Sequence, residues 1–352
     1  MAINLLTRYA GTMDKGFGAK SLTAGKASTR FTWDGAEGIK VLHTLPAALN
    51  DYNNRASSNR FGTPTNVQDA IQYMKITQKK SYSNVIDITD NSMQGMMKSA
   101  GAWMKQQDEE VVIPYVDKYN LTQWSHNAVH YVKIYSVTKS NIIEALLDME
   151  VAMNNKRVPK NQRWTYVPES SMKFIRLADE WDGCDGIVHK ILANGHVGNF
   201  GTLQLVPIPD GDMPANCYAL GARKDSVFAP TKLAIARIHK SAPGYAGALL
   251  EALRVFDAFV SYSQCNGVVA LVKTSEVETA PTVSVAGQIT VGSGKKVAYT
   301  LDGTDPRYSD SAVTITSTAT PTHTAGDTIK AVVLGSSAGS YQSDITTTVT
   351  TS

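Results

Sequence analysis

The chain has 352 residues, 43% hydrophobic and 18% charged, with a formal net charge of +3. That length suits two domains with ordinary cores, and so small a charge is not by itself a nucleic-acid-binding signature. No apolar run reaches the length of a membrane span, the longest such as "GVVALV" being strand-sized.

The opening "MAINLLTRYAG" lacks the basic start and apolar centre of a signal peptide, which predicts synthesis in a cytoplasm. Residues 1–27 are rich in Gly, Ala, Thr and Lys without a sustained period, and read as an arm that orders against a neighbour. The stretch from 28 to about 80 starts and ends strand-like around "NDYNNRASSNRFGTPTN". That middle has too little apolar surface for its own core and predicts a long hairpin-like loop.

Next, Met93, Met96, Met97, Ala100, Trp103, Met104 and Val111 recur at helical spacing, with Asp90, Asn91 and Ser92 as caps. A long helix over about 91–113 is expected, bent or ended by Pro114. "SNIIEALLDMEVAMNNK" predicts a second helix, and "RWTYVPESSMKFI" a strand turning into a short helix. "GIVHKILANGHVGNFGTLQLVPIP" reads as strands and turns, and "PGYAGALLEALRVFDAFVSYSQCNGVVALV" as strands flanking a short helix.

Composition changes near residue 274. Every Trp, Phe, Met and Cys lies before it. Beyond it come short β-branched runs, "PTVSV", "KKVAYTL", "AVTIT" and "TIKAVVL", separated by Gly and Asp turns, which predict a small β-sandwich of about seven strands over 275–352. This segment carries a net −3 and the part of the chain up to Thr274 carries +6, as suits a protein whose ends face different surroundings.

Motifs for catalysis are weak. "HNAVH" spaces His126 and His130 as zinc hydrolases do, but Asn127 stands where their general-base Glu would. Asp108-Glu109 and Asp179-Glu180 are adjacent carboxylates without the repeated strand–helix units of a glycosidase barrel. "GNFGTL" and "GSGKK" lack the flanking elements of phosphate loops. Cys184, Cys217 and Cys265 form neither a disulfide framework nor a metal knuckle. No cofactor and no metal is expected.

"KKVAYTLDGTDPRYSDSA" resembles part of the module at the C-terminus of chitobiases and β-hexosaminidases. Its own residues spell turns, with Asp302-Gly303 closing one and Asp305-Pro306 opening another. Asp302, Asp305 and above all Tyr308 are the expected contacts for a surface ligand such as a glycan, the two carboxylates also for weak calcium.

The body resembles the major capsid proteins of tailed bacteriophages. "WDGAEGIKVLHTLPAALNDY" is similar to the start of their extended loop, and "MEVAMNNKRVPKNQRWTYVPESSMKFI" to the entry of their apical lobe. "PTKLAIARIHKSAPGYAGALLEALRVFDAFVSYSQCNGVVAL" resembles their closing segment. The resemblance covers roughly residues 28–273. It implies an α+β, Hong Kong 97-like capsid fold followed by an all-β immunoglobulin-like sandwich. It further implies a coat subunit forming hexamers and pentamers of an icosahedral head around double-stranded DNA. A portal and a separate scaffolding protein would be partners, and assembly would occur in the host bacterial cytoplasm. Trp33, Lys40, Tyr52, Arg55, Arg60 and Phe61 would then meet adjacent subunits. Two alternatives stay open: a carbohydrate-binding or hydrolytic protein, and a tail-tube or other virion protein.

Overall fold

The structure is a computed structural model. It describes residues 20–33, 37–47, 49–55, 58–64, 66–93, 99–178, 198–240, 243–335 and 339–351. Positions 1–19 of the arm, Met96, Met97, Asp179, Glu180, Cys184 and the run 186–197 lie outside them.

Strands β1 (Gly38–Thr44) and β2 (Asp69–Lys75) form a separate antiparallel hairpin, the two-stranded base of the predicted loop. Strand β3 (Gln78–Asp87) leads into the short helix α1 (Ile88–Met93). A helical rod follows: α2 (Ala100–Gln107), a π-helical turn at Asp108–Val112, and α3 (Ile113–His126). The long helix is therefore displaced toward the C-terminus of the predicted 91–113, and Pro114 sits in the first turn of α3 instead of ending a helix. The backbone stays helical through Gln107, Asp108, Val112 and Ile113, so the π turn just ahead of Pro114 carries the rod past it, a common site for such an irregularity.

The lobe is built on one six-stranded sheet. Its strands are β4 (His130–Ile134), β5 (Arg163–Pro168), β6 (Gly198–Phe200), β7 (Leu203–Ile208), β8 (Cys217–Arg223) and a closing strand at Val268–Lys273. Helices α4 (Ile142–Asn155) and α5 (Glu169–Arg176) fall where the sequence predicts them. Short β9 (Val227–Phe228) precedes β10 (Thr231–His239) and β11 (Gly247–Phe256), and the latter two join β3 in a second sheet. After β12 (Phe259–Val260), which pairs with β9, a 3-10 turn at Cys265–Gly267 leads into the closing strand, β13. Among the described residues that turn is the only helical piece of the closing segment. β13 runs parallel to β4 and antiparallel to β8.

β13 explains why its sequence is apolar throughout. Val268, Ala270 and Val272 pack with Leu121 and Trp124 of α3, while Val269 and Leu271 pack with Leu146, Met149 and Met153 of α4. A sheet covered on both faces needs apolar residues at every position.

Two buried carboxylates fasten the periphery. Asp117 on α3 accepts hydrogen bonds from Ser21 Oγ (2.8 Å), Leu22 N (2.6 Å) and Thr23 Oγ1 (2.5 Å). The described end of the arm is thus ordered against its own chain. Asp257 accepts from Thr77 N and Oγ1 and from Tyr119 Oη.

The C-terminal segment holds a four-stranded antiparallel sheet of β14 (Lys296–Thr300), β15 (Val313–Ile315), β16 (Thr328–Leu334) and β17 (Thr346–Val349), in the order β15-β14-β16-β17. Ile289, Val297, Ile329, Ala331 and Val333 give it its own small core. "PTVSV" contributes only an isolated bridge, Val283 to Ile289.

Candidate assembly surface

The hairpin keeps one antiparallel register from Gly38 opposite Lys75 to Thr44 opposite Asp69. Alternation along β2 buries Ala70, Gln72 and Met74 and exposes Asp69, Ile71, Tyr73 and Lys75. Gln72 is the anchor. Its amide nitrogen donates to Val260 O and its oxygen accepts from Tyr262 N, both at 2.8 Å. Met74 enters a cluster with Trp33, Ile76, Phe228 and Val255. The hairpin base is therefore stitched to the body, and the described residues among 45–68 extend beyond it, mostly exposed.

That projection carries apolar side chains with no core beneath them. Tyr52 and Phe61 lean together with ring centroids 5.0 Å apart, yet remain 57% and 83% exposed. Leu42, Leu49 and Val67 are exposed as well. At the tip Gly62 has φ +95° and donates its N–H to Asn59 O at 2.8 Å. An added Cβ there would sit 2.3 Å from the Asn50 side chain, so only glycine fits.

Of the six residues assigned to subunit contact, Tyr52, Arg55, Arg60 and Phe61 lie together on the projecting loop. The other two are used inside the chain. Trp33 is only 6% exposed and stacks on Phe259. Lys40 pairs with Asp310 of the C-terminal segment at 2.8 Å. Neither position could be separated from the loop by composition, because Phe259 and Asp310 are remote from them in sequence.

The three C-terminal candidates also change role. Tyr308, expected as an exposed ring, is 7% exposed and lies in the body's main cluster, its ring tilted against Tyr262 with centroids 6.0 Å apart. Its hydroxyl donates to Asn127 O at 2.5 Å. Asp305 receives a two-pronged bond from Arg307, Nε to Oδ1 at 3.0 Å and Nη2 to Oδ2 at 2.8 Å. Arg307 also donates to Val129 O at 3.1 Å. Burial disfavours the guanidinium charge, but the Asp305 carboxylate outweighs it and raises the Arg307 pKa. Burial likewise opposes ionisation of Asp302, but hydrogen bonds from Thr304 Oγ1, Thr304 N and Ser311 Oγ together hold its carboxyl below the usual range. These oxygens are taken up by protein donors, which commits Asp302 and Asp305 to the loop's own turns. Together the residues form a junction: turn chemistry, as the sequence indicates, folded into an internal joint.

Hairpin, α3 and C-terminal segment meet around a cleft of about 440 Å³ lined by Gln72, Lys75, Tyr119, Asp257, Arg307 and Tyr308. Burial, aided by the hydrogen bond to Asp257, pushes the Tyr119 phenol up to about 12. Among the described residues no three His, Cys, Asp or Glu side chains converge as a metal site. His126 ends α3 and stacks on Tyr341, whereas His130 opens β4 and bonds Asn266 at 3.2 Å, so they share no helix face. Asp108 pairs with Arg254 at 2.9 Å, tying the π turn to β11.

The fold is shared with phage capsid chains. One similar structure is from Mycobacterium phage Che8, with TM-score 0.63 and 14% identity over 77% of this chain and 98% of that one. A second is from the capsid of cyanophage P-SCSP1u, with TM-score 0.64 and 12% identity over 76% and 92%. A third is from the mature capsid of bacteriophage PhiM1, with TM-score 0.60 and 12% identity over 77% and 92%. No family model matches the chain, and no curated protein sequence does. Among the described residues no helix is long and apolar enough to cross a membrane.

Proposed function

We propose that the chain is the major coat subunit of a tailed phage, its body in the Hong Kong 97 arrangement of arm, extended loop, spine helix and lobe. Copies associate as hexamers and pentamers into a closed icosahedral shell around double-stranded DNA. The observation that carries this reading is the loop at 45–68, whose exposed Tyr52 and Phe61 project from a body that has the fold of phage capsid chains. Obligate subunit contacts bury more than about 2,000 Å², and a projecting loop with an N-terminal arm supplies such area.

The +6 balance of the chain up to Thr274 suits an inner surface near packaged DNA, through non-specific phosphate attraction. The C-terminal module, 275–352 and net −3, faces outward as an immunoglobulin-like domain. Its outer face, not Tyr308, would meet host-surface glycans, weak contacts multiplied over many copies. A portal and a separate scaffolding protein complete the particle in the bacterial cytoplasm. This role breaks no bond and uses no cofactor.

The test is expression of the chain alone and with its scaffolding protein, followed by sedimentation and electron microscopy. Closed shells, or rings of six and five, are expected; a folded monomer under both conditions would falsify the assignment.

A further inference from the structure

We infer that the C-terminal module is an internal strut that sets the pose of the 38–75 hairpin. Two-stranded hairpins are marginal by themselves and leave a strand edge unpaired. Here the outer edge of β2 is occupied: Asp310 N donates to Ile71 O at 2.7 Å. The Asp310 carboxylate also takes Lys40 Nζ of β1 at 2.8 Å, so one residue of the module touches both strands. The exposed ion pair contributes little, and the backbone bond is the main restraint.

The strut is stiff because its other end is buried. Asp310 lies two residues beyond Tyr308, which is plugged into the body core, and three beyond Arg307, which is bonded to Val129 O. Ser311 and Thr304 are tied to Asp302, closing the loop on itself at the φ +72° turn of Gly303. Between plug and hairpin stands the single residue Ser309. On β2 the module holds Ile71, next to Gln72, which Val260 and Tyr262 of the body hold, and three residues before Met74, which is buried with Trp33 and Phe228. With the module's restraint in place the hairpin leaves the body at one angle; without it, the end of the hairpin beyond Gln72 is held from the body side alone and swings more freely. The strut follows from these contacts alone, whereas its consequence for shell geometry rests on the coat-protein reading.

Hydrogen exchange of the unassembled full-length chain tests it, read on peptides covering 38–44 and 69–75. Asp310→Pro removes the N–H and the carboxylate together and is expected to speed hairpin exchange about tenfold, with residues 268–273 unchanged. Should Asp310→Pro also deprotect residues 328–334, the milder Ser309→Gly/Asp310→Gly pair decides, since it loosens the backbone that presents the Asp310 N–H and removes the carboxylate, with about threefold faster hairpin exchange expected. Unchanged exchange at 38–44 and 69–75 in both variants overturns the strut. Electron microscopy reads the consequence: one shell diameter for the wild type and several for the variants. Failure of the wild type to assemble would count against the coat-protein reading while leaving the exchange result to judge the strut.

Discussion

The phenol of Tyr308 donates a hydrogen bond to the backbone carbonyl of Asn127, 181 residues earlier in the chain. Tyr341 makes the matching contact on the other side, its hydroxyl donating to Ala215 O at 2.7 Å. The C-terminal module thus places two tyrosines inside the body's core and shares that core, in place of hanging from a linker. Tyr308→Phe keeps the ring and takes the donor from the part-buried Asn127 carbonyl, so a loss of about 1–2 kcal/mol is expected. Tyr308→Ala adds a cavity and should cost about 3–5 kcal/mol. Denaturant unfolding measures both, and faster proteolysis between 274 and 282 should accompany the alanine variant. Wild-type stability in both would mean that the two parts are not coupled through this ring.

Arg307 and Asp305 are a buried pair, their side chains 4% and 14% exposed. Removing one partner of such a pair leaves an uncompensated charge, at a cost of about 3–5 kcal/mol. Asp305→Ala is therefore expected to destabilise by that amount. The double variant Asp305→Asn/Arg307→Met should recover most of the loss, since the amide oxygen still accepts the backbone N–H of position 307, now bonded at 3.0 Å. A double variant no more stable than Asp305→Ala would show that the pair's geometry matters beyond its charge balance.

Much of the body is legible in sequence because its signals are local. Helices α4 and α5, strand β5, the hairpin and strands β14 to β16 all follow from periodicity and turn residues. Pro114 reads as a breaker in sequence, whereas the π turn at Asp108–Val112 carries the helical backbone past it. "GALLEALRVF" spaces its leucines as a helix would, yet pairs along its whole length with β3; only the tertiary partner reveals the period. Exposure is where the sequence says least. Tyr308 and Trp33 look like surface aromatics because the residues that cover them are distant in sequence, and nothing near Asp117 or Asp257 announces their fastening role.

His130 gives the fold a pH dependence of definite sign. Burial depresses its pKa below the ordinary 6.5, and the nearby Lys156 and Arg307 charges act in the same direction against a hydrogen bond to the Asn266 side chain. The unfolded chain therefore binds the proton more readily than the native one. The stabilisation is fully present above pH 6.5 and is lost as pH falls from there through the folded-state pKa. Unfolding measured from pH 7 to 5 should show stability declining, and His130→Gln should flatten that slope while keeping a partner for Asn266. An unchanged slope would assign the acid sensitivity to other groups.

Trp33 and Phe61 separate stability from association. Trp33 is buried against Phe259, so Trp33→Ala should destabilise the unassembled chain by about 3–5 kcal/mol. Among the described residues the rings of Tyr52 and Phe61 meet only each other's, and both are exposed, so Tyr52→Ser/Phe61→Ser should change monomer stability by less than about 0.5 kcal/mol. If the loop docks on a neighbouring copy, the same two rings are anchors, and truncating anchors costs about 2 kcal/mol or more each. Every 1.4 kcal/mol is roughly tenfold in a contact's Kd, and a shell repeats the contact at every subunit. The double variant should therefore stay monomeric at concentrations where the wild type closes shells, with its melting temperature intact. Sedimentation velocity and thermal unfolding on the same samples distinguish the outcomes. Shells forming at wild-type concentrations would remove the loop tip from the interface. A large drop in melting temperature would instead place the rings in the fold of the single chain.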